Sequence, residues 1–374
     1  MAADDRDVRV VGSGPAGLMA AEVLASGGAR VEIIDHHRMP ARKFLLAGRG
    51  GLNLTHAEPL EQVLQRYGDA RPLLEPCIRA FPPDALRRWC AELGIETFVG
   101  SSGRVFPDGL KASPLLRGWL RRLQALGVKR TSPAAWAGFD DVPTILAMGG
   151  ASWPELGSNA AWVEKFQDAG IAVTPLVASN SRQKVAWGDH MQRFAGTPLK
   201  NVAVTAGGHT VRGEIMLMKD GIEGGAIYAL SPHLRIAGAT LTIDLKPDLS
   251  AQQVAERLAR PRSKDSRSTF LRKALNLPPA AIALMREAGS DTPKAVALTT
   301  HGPVELRRAI SSAGGVARDE IDGHFRLLKK PNTWVVGEML DWDAPTGGYL
   351  LQACLATARF AAEDCLKHLN LSAR

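Results

Sequence analysis

Residues 8–17 read Val8-Arg9-Val10-Val11-Gly12-Ser13-Gly14-Pro15-Ala16-Gly17, an apolar run that leads into a G-x-G-x-x-G pattern. The β-branched run predicts a short buried strand, and a helical pattern follows from Leu18 to about Ser26. A second apolar run, Val31-Glu32-Ile33-Ile34, ends at Asp35. Strand, glycine turn, helix, strand and terminal carboxylate together predict a dinucleotide-binding βαβ unit of the Rossmann type.

Each glycine of this turn has its own physical role. Gly12 allows the tight turn, Gly14 lets the backbone approach a pyrophosphate, and Gly17 lets the helix pack closely on the strand. The free N–H groups at the helix N-terminus favour an anionic ligand, and Asp35 is expected to accept hydrogen bonds from ribose hydroxyls. An ordinary glycine turn is the alternative, but it explains neither the flanking strands nor the acid.

Length and composition predict a cytoplasmic enzyme. The chain has 374 residues, which allows a large core and more than one domain. No apolar run is long enough to span a bilayer, and the N-terminus does not have the pattern of a signal peptide. The cysteines fit no metal or redox spacing, and we expect them to be buried thiols. They are Cys77, Cys90, Cys354 and Cys365.

The net charge of the chain is +8. Such an excess of basic residues suits a polyanionic partner such as RNA. Many basic proteins bind no nucleic acid, so the charge indicates this class of partner without establishing it.

A glycine-rich stretch, residues 42–55, follows the βαβ unit. Its glycines predict a loop rather than a helix, with backbone that can lie against a flat ring. Arg42, Lys43 and Arg49 would neutralise a pyrophosphate. A surface loop with solvated charges is the alternative, and the neighbouring βαβ unit favours the cofactor loop.

Six motifs extend over almost the full length of the chain. They are Gly12-Ser-Gly-Pro-Ala-Gly17, Arg42-Lys43 with residues 47–55, Gly103-Arg-Val-Phe-Pro107, residues 148–158, Gly337-Glu-Met-Leu-Asp341 and Thr346-Gly-Gly-Tyr-Leu-Leu-Gln352. Together they resemble the aminoacetone-oxidase-like family of bacterial FAD-binding flavoproteins, which also contains bile-acid enone reductases and a ribosomal-RNA uridine reductase. The resemblance implies an α/β fold with a glutathione-reductase-like FAD-binding domain and two-electron flavin chemistry.

The chain departs from the family pattern at three places. Residues 50–53 read Gly-Gly-Leu-Asn where the family commonly has Gly-Gly-Arg-Cys-Asn. Met218-Lys219 replaces a threonine–histidine pair, and Leu350 replaces an asparagine. The stretch 128–142 also leaves little room for the usual three-stranded meander. Because family members differ in substrate, these departures argue against carrying over the substrate of any one member.

The C-terminal motifs complete the expected flavin site. Trp334-Val335-Val336 predicts a strand that leads to Gly337, and the resemblance implies that Glu338 accepts a hydrogen bond from a ribityl hydroxyl. Gly347-Gly348 is expected to begin the last helix, from Tyr349 to about His368, and to leave room for a planar ligand. The positive end of that helix would stabilise an anionic reduced flavin.

The segment between residues 184 and 300 has a different character. Short alternating or apolar runs predict a small antiparallel barrel over residues 184–249, and residues 250–300 are predicted to be helical with Ser250 as an N-cap. We therefore predict an FAD-binding domain made of residues 1–183 and 301–374, interrupted by a substrate domain at 184–300.

The helical part of this insert is rich in basic residues. They are Arg257, Arg260, Arg262, Lys264, Arg267, Arg272 and Lys273. Such a face is typical of a charged, solvated surface, and a surface that docks a polyanion such as RNA is the alternative.

Three expectations concern what the chain lacks. No second G-x-G-x-x-G follows a strand, so NAD(P)H, if it is the reductant, would visit the flavin transiently. No metal site is expected. Candidates for acid–base catalysis by residue type alone are His190, His233 and His301. A structural role is the alternative for each of them. The sequence therefore identifies no catalytic residue.

These features predict an FAD-dependent oxidoreductase. The leading function is a reductase that passes hydride from NAD(P)H through FAD to an unsaturated substrate, such as a base in RNA. A small-amine oxidase that uses O2 and an RNA-binding protein with structural FAD are the alternatives. The sequence predicts no oligomeric state. The candidate cofactor-binding residues are Gly12, Ser13, Gly14, Pro15, Ala16, Gly17, Asp35, His36, Arg42, Lys43, Arg49, Gly50, Asn53, Gly149, Gly150, Trp153, Gly337, Glu338, Gly347, Gly348, Tyr349 and Leu350.

Overall fold

The computed structural model describes residues 6–261 and 264–371. The strands are β1 (Asp7–Val11), β2 (Arg30–Ile34), β3 (Thr55–His56), β4 (Thr97–Val99), β5 (Arg104–Pro107), β6 (Lys129–Thr131), β7 (Thr144–Leu146), β8 (Val173–Ser179), β9 (Gln183–Lys184), β10 (Thr197–Ala206), β11 (His209–Met218), β12 (Gly221–Glu223), β13 (Thr240–Asp244), β14 (Val296–Thr299), β15 (Ser311–Val316), β16 (Arg326–Leu327) and β17 (Lys330–Val335). The α-helices are α1 (Pro15–Ser26), α2 (Arg42–Ala47), α3 (Leu60–Gln65), α4 (Arg71–Ala80), α5 (Pro83–Glu92), α6 (Ala112–Ala125), α7 (Trp162–Asp168), α8 (Gly225–Ala229), α9 (Ala251–Leu258), α10 (Arg267–Leu275), α11 (Pro279–Glu287) and α12 (Tyr349–His368).

The chain forms two compact units. One consists of Met1–Val177 and Ser311–Arg374, and the other of Ala178–Ile310. The second unit thus extends beyond the predicted limits of residues 184 and 300 on both sides. The reason is local pairing, because β9 pairs with β12 and the N–H of Val304 donates to the carbonyl of Arg182.

The first unit is built on a six-stranded sheet in the order β16-β17-β7-β1-β2-β6. Strand β1 is parallel to both of its neighbours, with Val10 opposite Ile33 of β2 and Ile145 of β7. Because the chain proceeds to β2 on one side of β1 and later to β7 on the other, the strand order reverses at β1. Ligands of open α/β sheets bind at such a switch point, beyond the carboxyl ends of the strands.

Burial explains why these strands lie at the centre. Val10 and Ile145 have no exposed surface, and helices α1 and α12 pack against each other in the same core. Helix α1 is almost wholly apolar, as a helix enclosed between a sheet and a second helix should be. The predicted βαβ unit and the predicted last helix are therefore confirmed, and the parallel FAD-type sheet agrees with the predicted fold class.

One predicted loop is partly wrong. Residues 42–47 form helix α2, where the glycine-rich stretch 42–55 had predicted no helix. The six residues Arg-Lys-Phe-Leu-Leu-Ala are good helix formers, and the glycines begin only at Gly48, which ends the helix. The glycines therefore determine where the helix stops.

The short stretch at 128–142 contains a single strand, β6, and all of its residues lie in the described part of the chain. This strand is parallel to β2 at the edge of the main sheet. In this stretch the chain therefore returns directly to the parallel sheet, without a meander.

The second unit has a sheet in the order β14-β13-β10-β11-β12-β9, with antiparallel pairing throughout. This half-barrel takes the place of the predicted small barrel. Ser250 caps α9, as predicted: its Oγ accepts from the N–H of Gln253 at 3.1 Å, and the Gln253 side chain accepts from the N–H of Ser250 at 2.9 Å. No helix among the described residues is both long and apolar enough to cross a membrane.

Candidate functional site

The glycine turn after β1 opens on one side only. A Cβ added at Gly12 would lie 2.4 Å from the carbonyl oxygen of Ala147, and one at Gly17 would lie 1.9 Å from that of Gly12. A Cβ added at Gly14 would meet nothing within 4 Å. Gly12 and Gly17 are therefore required by packing, whereas Gly14 faces the open space in which a pyrophosphate would lie.

A cavity of the first unit begins at this open side. Eleven of the predicted cofactor residues line it: Gly12, Ser13, Gly14, Pro15, Ala16, Asp35, His36, Arg42, Lys43, Gly149 and Glu338. The structure thus brings residues from the N-terminal turn, the middle of the chain and the C-terminal motif together. The other eleven do not line it: Gly17, Arg49, Gly50, Asn53, Gly150, Trp153, Gly337, Gly347, Gly348, Tyr349 and Leu350.

Asp35 is held in position by three donors. Its Oδ2 accepts from the N–H of Ser13 at 2.7 Å and from the hydroxyl of Ser13 at 2.5 Å, and its Oδ1 accepts from the N–H of His37 at 2.7 Å. A carboxylate offers about four acceptor positions. Asp35 therefore keeps capacity for a ribose hydroxyl, in an orientation set by the glycine turn.

Lys43 and Glu338 form a partly buried ion pair. The Nζ of Lys43 lies 2.9 Å from Oε2 and 3.1 Å from Oε1 of Glu338, and it also donates to Ser152 at 2.5 Å. Ser312 donates its N–H to Glu338 at 2.9 Å and its hydroxyl at 3.2 Å. Lys43, which was expected at a pyrophosphate, thus neutralises the acid that was expected to bind a ribityl hydroxyl.

Gly150 is required by this ion pair, even though it does not line the cavity. A Cβ at Gly150 would lie 1.8 Å from the Oγ of Ser312. Any larger residue would displace the serine that donates to Glu338. The hydroxyl of Ser312 also accepts from the N–H of Ala151 at 3.1 Å. The segment at Gly150-Ala151 and the acid Glu338 are therefore joined through one side chain.

Two buried polar atoms near the predicted motifs lack a protein partner. They are the Oδ1 of Asn53 and the Oγ of Ser158, and Ser158 lines the cavity. Buried polar atoms are nearly always hydrogen-bonded, so such atoms call for a ligand or water. The unpartnered Oγ of Ser158, the open side of Gly14 and the orientation of Asp35 fit a dinucleotide bound in the cavity.

The remaining basic residues of the 42–55 stretch behave differently from one another. Arg42 donates to the backbone carbonyl of Glu155, and Arg49 and Gly50 are exposed. Trp153 has a left-handed backbone, with φ of 60°, and begins a short turn next to Glu155. Of these four residues, Arg42 is the one that lines the cavity.

The start of α12 is more closed than expected. A Cβ at Gly348 would lie 2.6 Å from the backbone of Thr55, so β3 occupies the room that had been predicted for a planar ligand. Gly347 and Gly348 have φ of 125° and 93°, conformations that favour glycine. Leu350 packs against the apolar core. Gly348 therefore admits β3 beside the helix start, whereas a Cβ at Gly347 would lie 2.7 Å from the ring of Tyr349.

Tyr349 belongs to a buried polar cluster. Its hydroxyl donates to Glu58 at 2.5 Å, Arg66 donates to the same carboxylate at 2.9 Å, and the hydroxyl of Tyr67 donates to the carbonyl of Tyr349 at 2.9 Å. Burial raises the pKa of Tyr349, and the bond to Glu58 adds to this. Burial alone would raise the pKa of Glu58, but the bonds from Arg66 and Tyr349 hold it below its ordinary value.

Several cavity residues were missed by the sequence reasoning. Cys354, on the first turns of α12, lines the cavity, and burial raises the pKa of its thiol to about 12. His37 and Trp136 also line it. Ser158 could have been found, because it ends the 148–158 motif, whereas no local pattern marks the other three.

The remaining cysteines are buried thiols, as predicted. Cys77, Cys90 and Cys365 are free and buried, and burial raises the pKa of Cys90 and of Cys365 to about 12. Such thiols are protonated and unreactive at neutral pH.

The three candidate histidines all lie in the second unit. The Nε2 of His190 is 3.3 Å from Oε2 of Glu287, and His233 stacks on His209 with ring centroids 4.3 Å apart. The N–H of His301 donates to Lys184 in the backbone network. None of them lines the cavity of the first unit.

The described basic residues of the insert differ in their ion pairs and in their exposure. Lys273 pairs with Asp265 at 3.0 Å, and Arg267 pairs with Asp291. Arg257 is half-buried, while Arg260, Lys264 and Arg272 are exposed. Arg262 lies outside the described residues.

The chain is similar to known proteins over most of its length. Residues 6–364 match the family model described as the HI0933-like protein Rossmann domain. The chain is 22% identical over 399 residues to the ribosomal RNA dihydrouridine synthase of Escherichia coli, a match that covers 96% of this chain and 98% of that protein. The enzyme of the same name from Haemophilus influenzae is 23% identical over 402 residues, with 93% and 96% covered.

Among solved structures, the 3-ketosteroid Δ1-dehydrogenase of Sterolibacterium denitrificans superposes with a TM-score of 0.50. The match covers 97% of this chain and 100% of that enzyme at 11% identity. At this identity the likeness concerns the fold alone.

Proposed function

Since the chain belongs to the HI0933-like Rossmann-domain family of FAD-dependent oxidoreductases, we propose that it is a reductase that saturates the C5=C6 bond of a uracil base in RNA. The observation that carries the proposal is the extent of the match to the Escherichia coli ribosomal RNA dihydrouridine synthase, which covers both chains almost completely. The net charge of +8 supports a polyanionic substrate.

The reaction has a simple balance. Uridine, NAD(P)H and one proton give dihydrouridine and NAD(P)+. FAD, held by the residues that line the cavity, would supply the two-electron hydride chemistry that this reaction needs. The residues of the protein would bind and orient the cofactor and the base, and would exclude water from them.

We assign the residues of the cavity as follows. The open side of Gly14 and the N-terminus of α1 receive the pyrophosphate, and Asp35 accepts from the adenosine ribose. Glu338, fixed by Lys43 and Ser312, faces the cavity where a ribityl hydroxyl would donate to it. The bonds from Lys43 and Ser312 hold the carboxylate of Glu338 in one orientation.

NAD(P)H is proposed as the reductant because the reaction requires a two-electron donor. No second G-x-G-x-x-G follows a strand in the sequence, so the chain offers no separate nicotinamide site of that type. Nicotinamide and RNA would then use the same face of the cofactor in turn. A ping-pong sequence follows, in which the oxidised nicotinamide leaves before the base enters.

The test combines cofactor reduction with product analysis. The purified, yellow protein is mixed anaerobically with NADH or NADPH, and the flavin band is followed; it should bleach. An unmodified ribosomal RNA transcript is then added, digested to nucleosides and analysed by mass spectrometry for dihydrouridine. Bleaching by a small amine and not by either nicotinamide, with no dihydrouridine formed, would replace the reductase by an amine oxidase.

A further inference from the structure

The inserted unit contains a second cavity, of about 580 Å³. It lies between helix α10, helix α11 and the short helical segment Asp189–Phe194. Its volume falls within the range of roughly 300–1,000 Å³ that is usual for ligand sites. We call it the arginine cleft, after the four arginines that line it: Arg193, Arg267, Arg272 and Arg286.

The charge of the arginine cleft is strongly positive. Asp291 is the one carboxylate among its lining residues, and it pairs with Arg267. Arg193, Arg272 and Arg286 are exposed and form no ion pair with any described residue. Three uncompensated guanidinium groups around one cavity repel one another, so an anionic ligand would lower the electrostatic free energy of the unit.

The chemistry of the lining favours phosphodiester oxygens. Guanidinium groups bind phosphate in a bidentate manner, and Ser268 and Thr269 add hydroxyl donors at the start of α10. The guanidinium carbon of Arg193 lies 4.8 Å from the ring centroid of Phe194, which also lines the cleft. An aromatic ring beside cations is the usual platform for an unpaired base.

We propose that the arginine cleft holds the sugar–phosphate backbone of single-stranded RNA. The inference rests on the proposed function, from which it takes RNA as the partner, and it adds the place where RNA docks. It also divides the basic residues that the sequence grouped together. Arg267 and Arg272 belong to the cleft, Arg193 and Arg286 join them from elsewhere in the chain, and Arg260 and Lys264 lie outside it.

Two double variants with the same change of charge test the assignment. Arg272→Glu with Arg286→Glu reverses two exposed, unpaired residues of the cleft. Arg260→Glu with Lys264→Glu reverses two exposed residues of the same unit outside the cleft. Binding of a fluorescent single-stranded RNA is measured at several salt concentrations without nicotinamide, so that no turnover is involved. Flavin content and thermal unfolding verify that both variants are folded.

The cleft variant is expected to bind RNA at least tenfold more weakly than the wild type. Its slope of log Kobs against log salt should be shallower by about 1.4, since each phosphate contact with a single strand contributes about 0.7. The control variant should keep most of the affinity and a slope near that of the wild type.

Three results would overturn the proposal. The first is an equal loss of RNA affinity in the two variants, and the second is an unchanged RNA affinity in the cleft variant. The third is displacement of RNA by uridine monophosphate at the same nucleotide concentration, which would make the cleft a mononucleotide site. The proposed function fails separately. If the cleft variant loses RNA binding while the wild type forms no dihydrouridine, the cleft is an RNA site but the protein is not this reductase. If the wild type and the cleft variant form dihydrouridine equally well, the protein is this reductase but the cleft is not its RNA site.

Discussion

The Nζ of Lys43 lies 2.9 Å from Oε2 of Glu338, although the two residues are 295 positions apart in the chain. Lys43 is on α2 and Glu338 follows β17, so the ion pair joins the N-terminal and C-terminal halves of one unit. The side chains are 25% and 10% exposed, which places the pair where water screens it only in part.

The first prediction concerns this ion pair. Lys43→Met should lower the free energy of unfolding by up to about 3 kcal/mol, because it leaves a largely buried carboxylate without its cation. Glu338→Gln should lower the free energy of unfolding by less, since the amide oxygen of glutamine can still accept the hydrogen bond from Ser312. A double-mutant cycle, measured by urea unfolding with FAD in excess, should show a coupling of about 1–3 kcal/mol. Additive effects would mean that the two residues do not interact.

The second prediction concerns the open glycine of the first turn. Gly14→Val should abolish FAD retention, because the side chain would enter the space reserved for the pyrophosphate, and the protein should be purified colourless but folded. The wild type should release FAD and not FMN when denatured. Retention of FAD by the variant, measured by absorbance and fluorescence titration, would place the pyrophosphate elsewhere.

The third prediction concerns Gly150. Gly150→Ala should displace Ser312 and destabilise the protein by about 1–3 kcal/mol, because the added methyl would overlap the serine hydroxyl. Combination with Ser312→Gly should recover part of the loss, since the overlapping side chain is then absent. Thermal unfolding of the single and double variants measures this. An equal or larger loss in the double variant would show that Gly150 is required for another reason.

The fourth prediction concerns pH and the cluster around Glu58. The folded pKa of Glu58 is lower than its unfolded value, so its contribution to stability is fully present above the unfolded pKa of about 4.5. That contribution is lost as pH falls through the folded pKa. Glu58→Gln should therefore be less stable than the wild type at pH 7, and the difference should shrink below about pH 4. A difference that is constant between pH 7 and pH 3 would exclude an ionised Glu58 as the cause.

The fifth prediction concerns the order of electron transfer. If the reductase is correct, steady-state rates at several RNA concentrations should give parallel double-reciprocal lines against NAD(P)H. In air without RNA, the reduced flavin should re-oxidise slowly. Re-oxidation within tens of milliseconds, observed by stopped-flow absorbance, would instead indicate an oxidase.

The sequence was most informative where function depends on short local patterns. The turn at Gly12–Gly17 and the carboxylate of Asp35 could be predicted because strand, glycines and helix are adjacent in the chain and each glycine has a steric reason. The capping box at Ser250 could be predicted for the same reason. Ser13 and Asp35 lie within one βαβ unit, and Ser250 and Gln253 lie within one helical turn.

Contacts between distant segments could not be predicted. Nothing in the local pattern of Lys43 indicates Glu338, and nothing near Gly348 indicates that the backbone of Thr55 would take the room beside it. Helix α2 was missed because glycine content was averaged over residues 42–55, while the helix occupies only the glycine-free beginning. The arginine cleft combines residues from two separated segments, so the single basic stretch 257–273 contained only half of its arginines.

The interrupted first unit has a consequence for the order in which the protein is made. The ribosome synthesises the glycine turn and Asp35 before the whole of Ala178–Ile310, and only afterwards β17, which pairs in parallel with β7. Lys43 therefore has no carboxylate partner until Glu338, 295 positions later, has been synthesised. The inserted unit can fold before Glu338 is made, whereas the cofactor cavity can be completed only after that residue has been added.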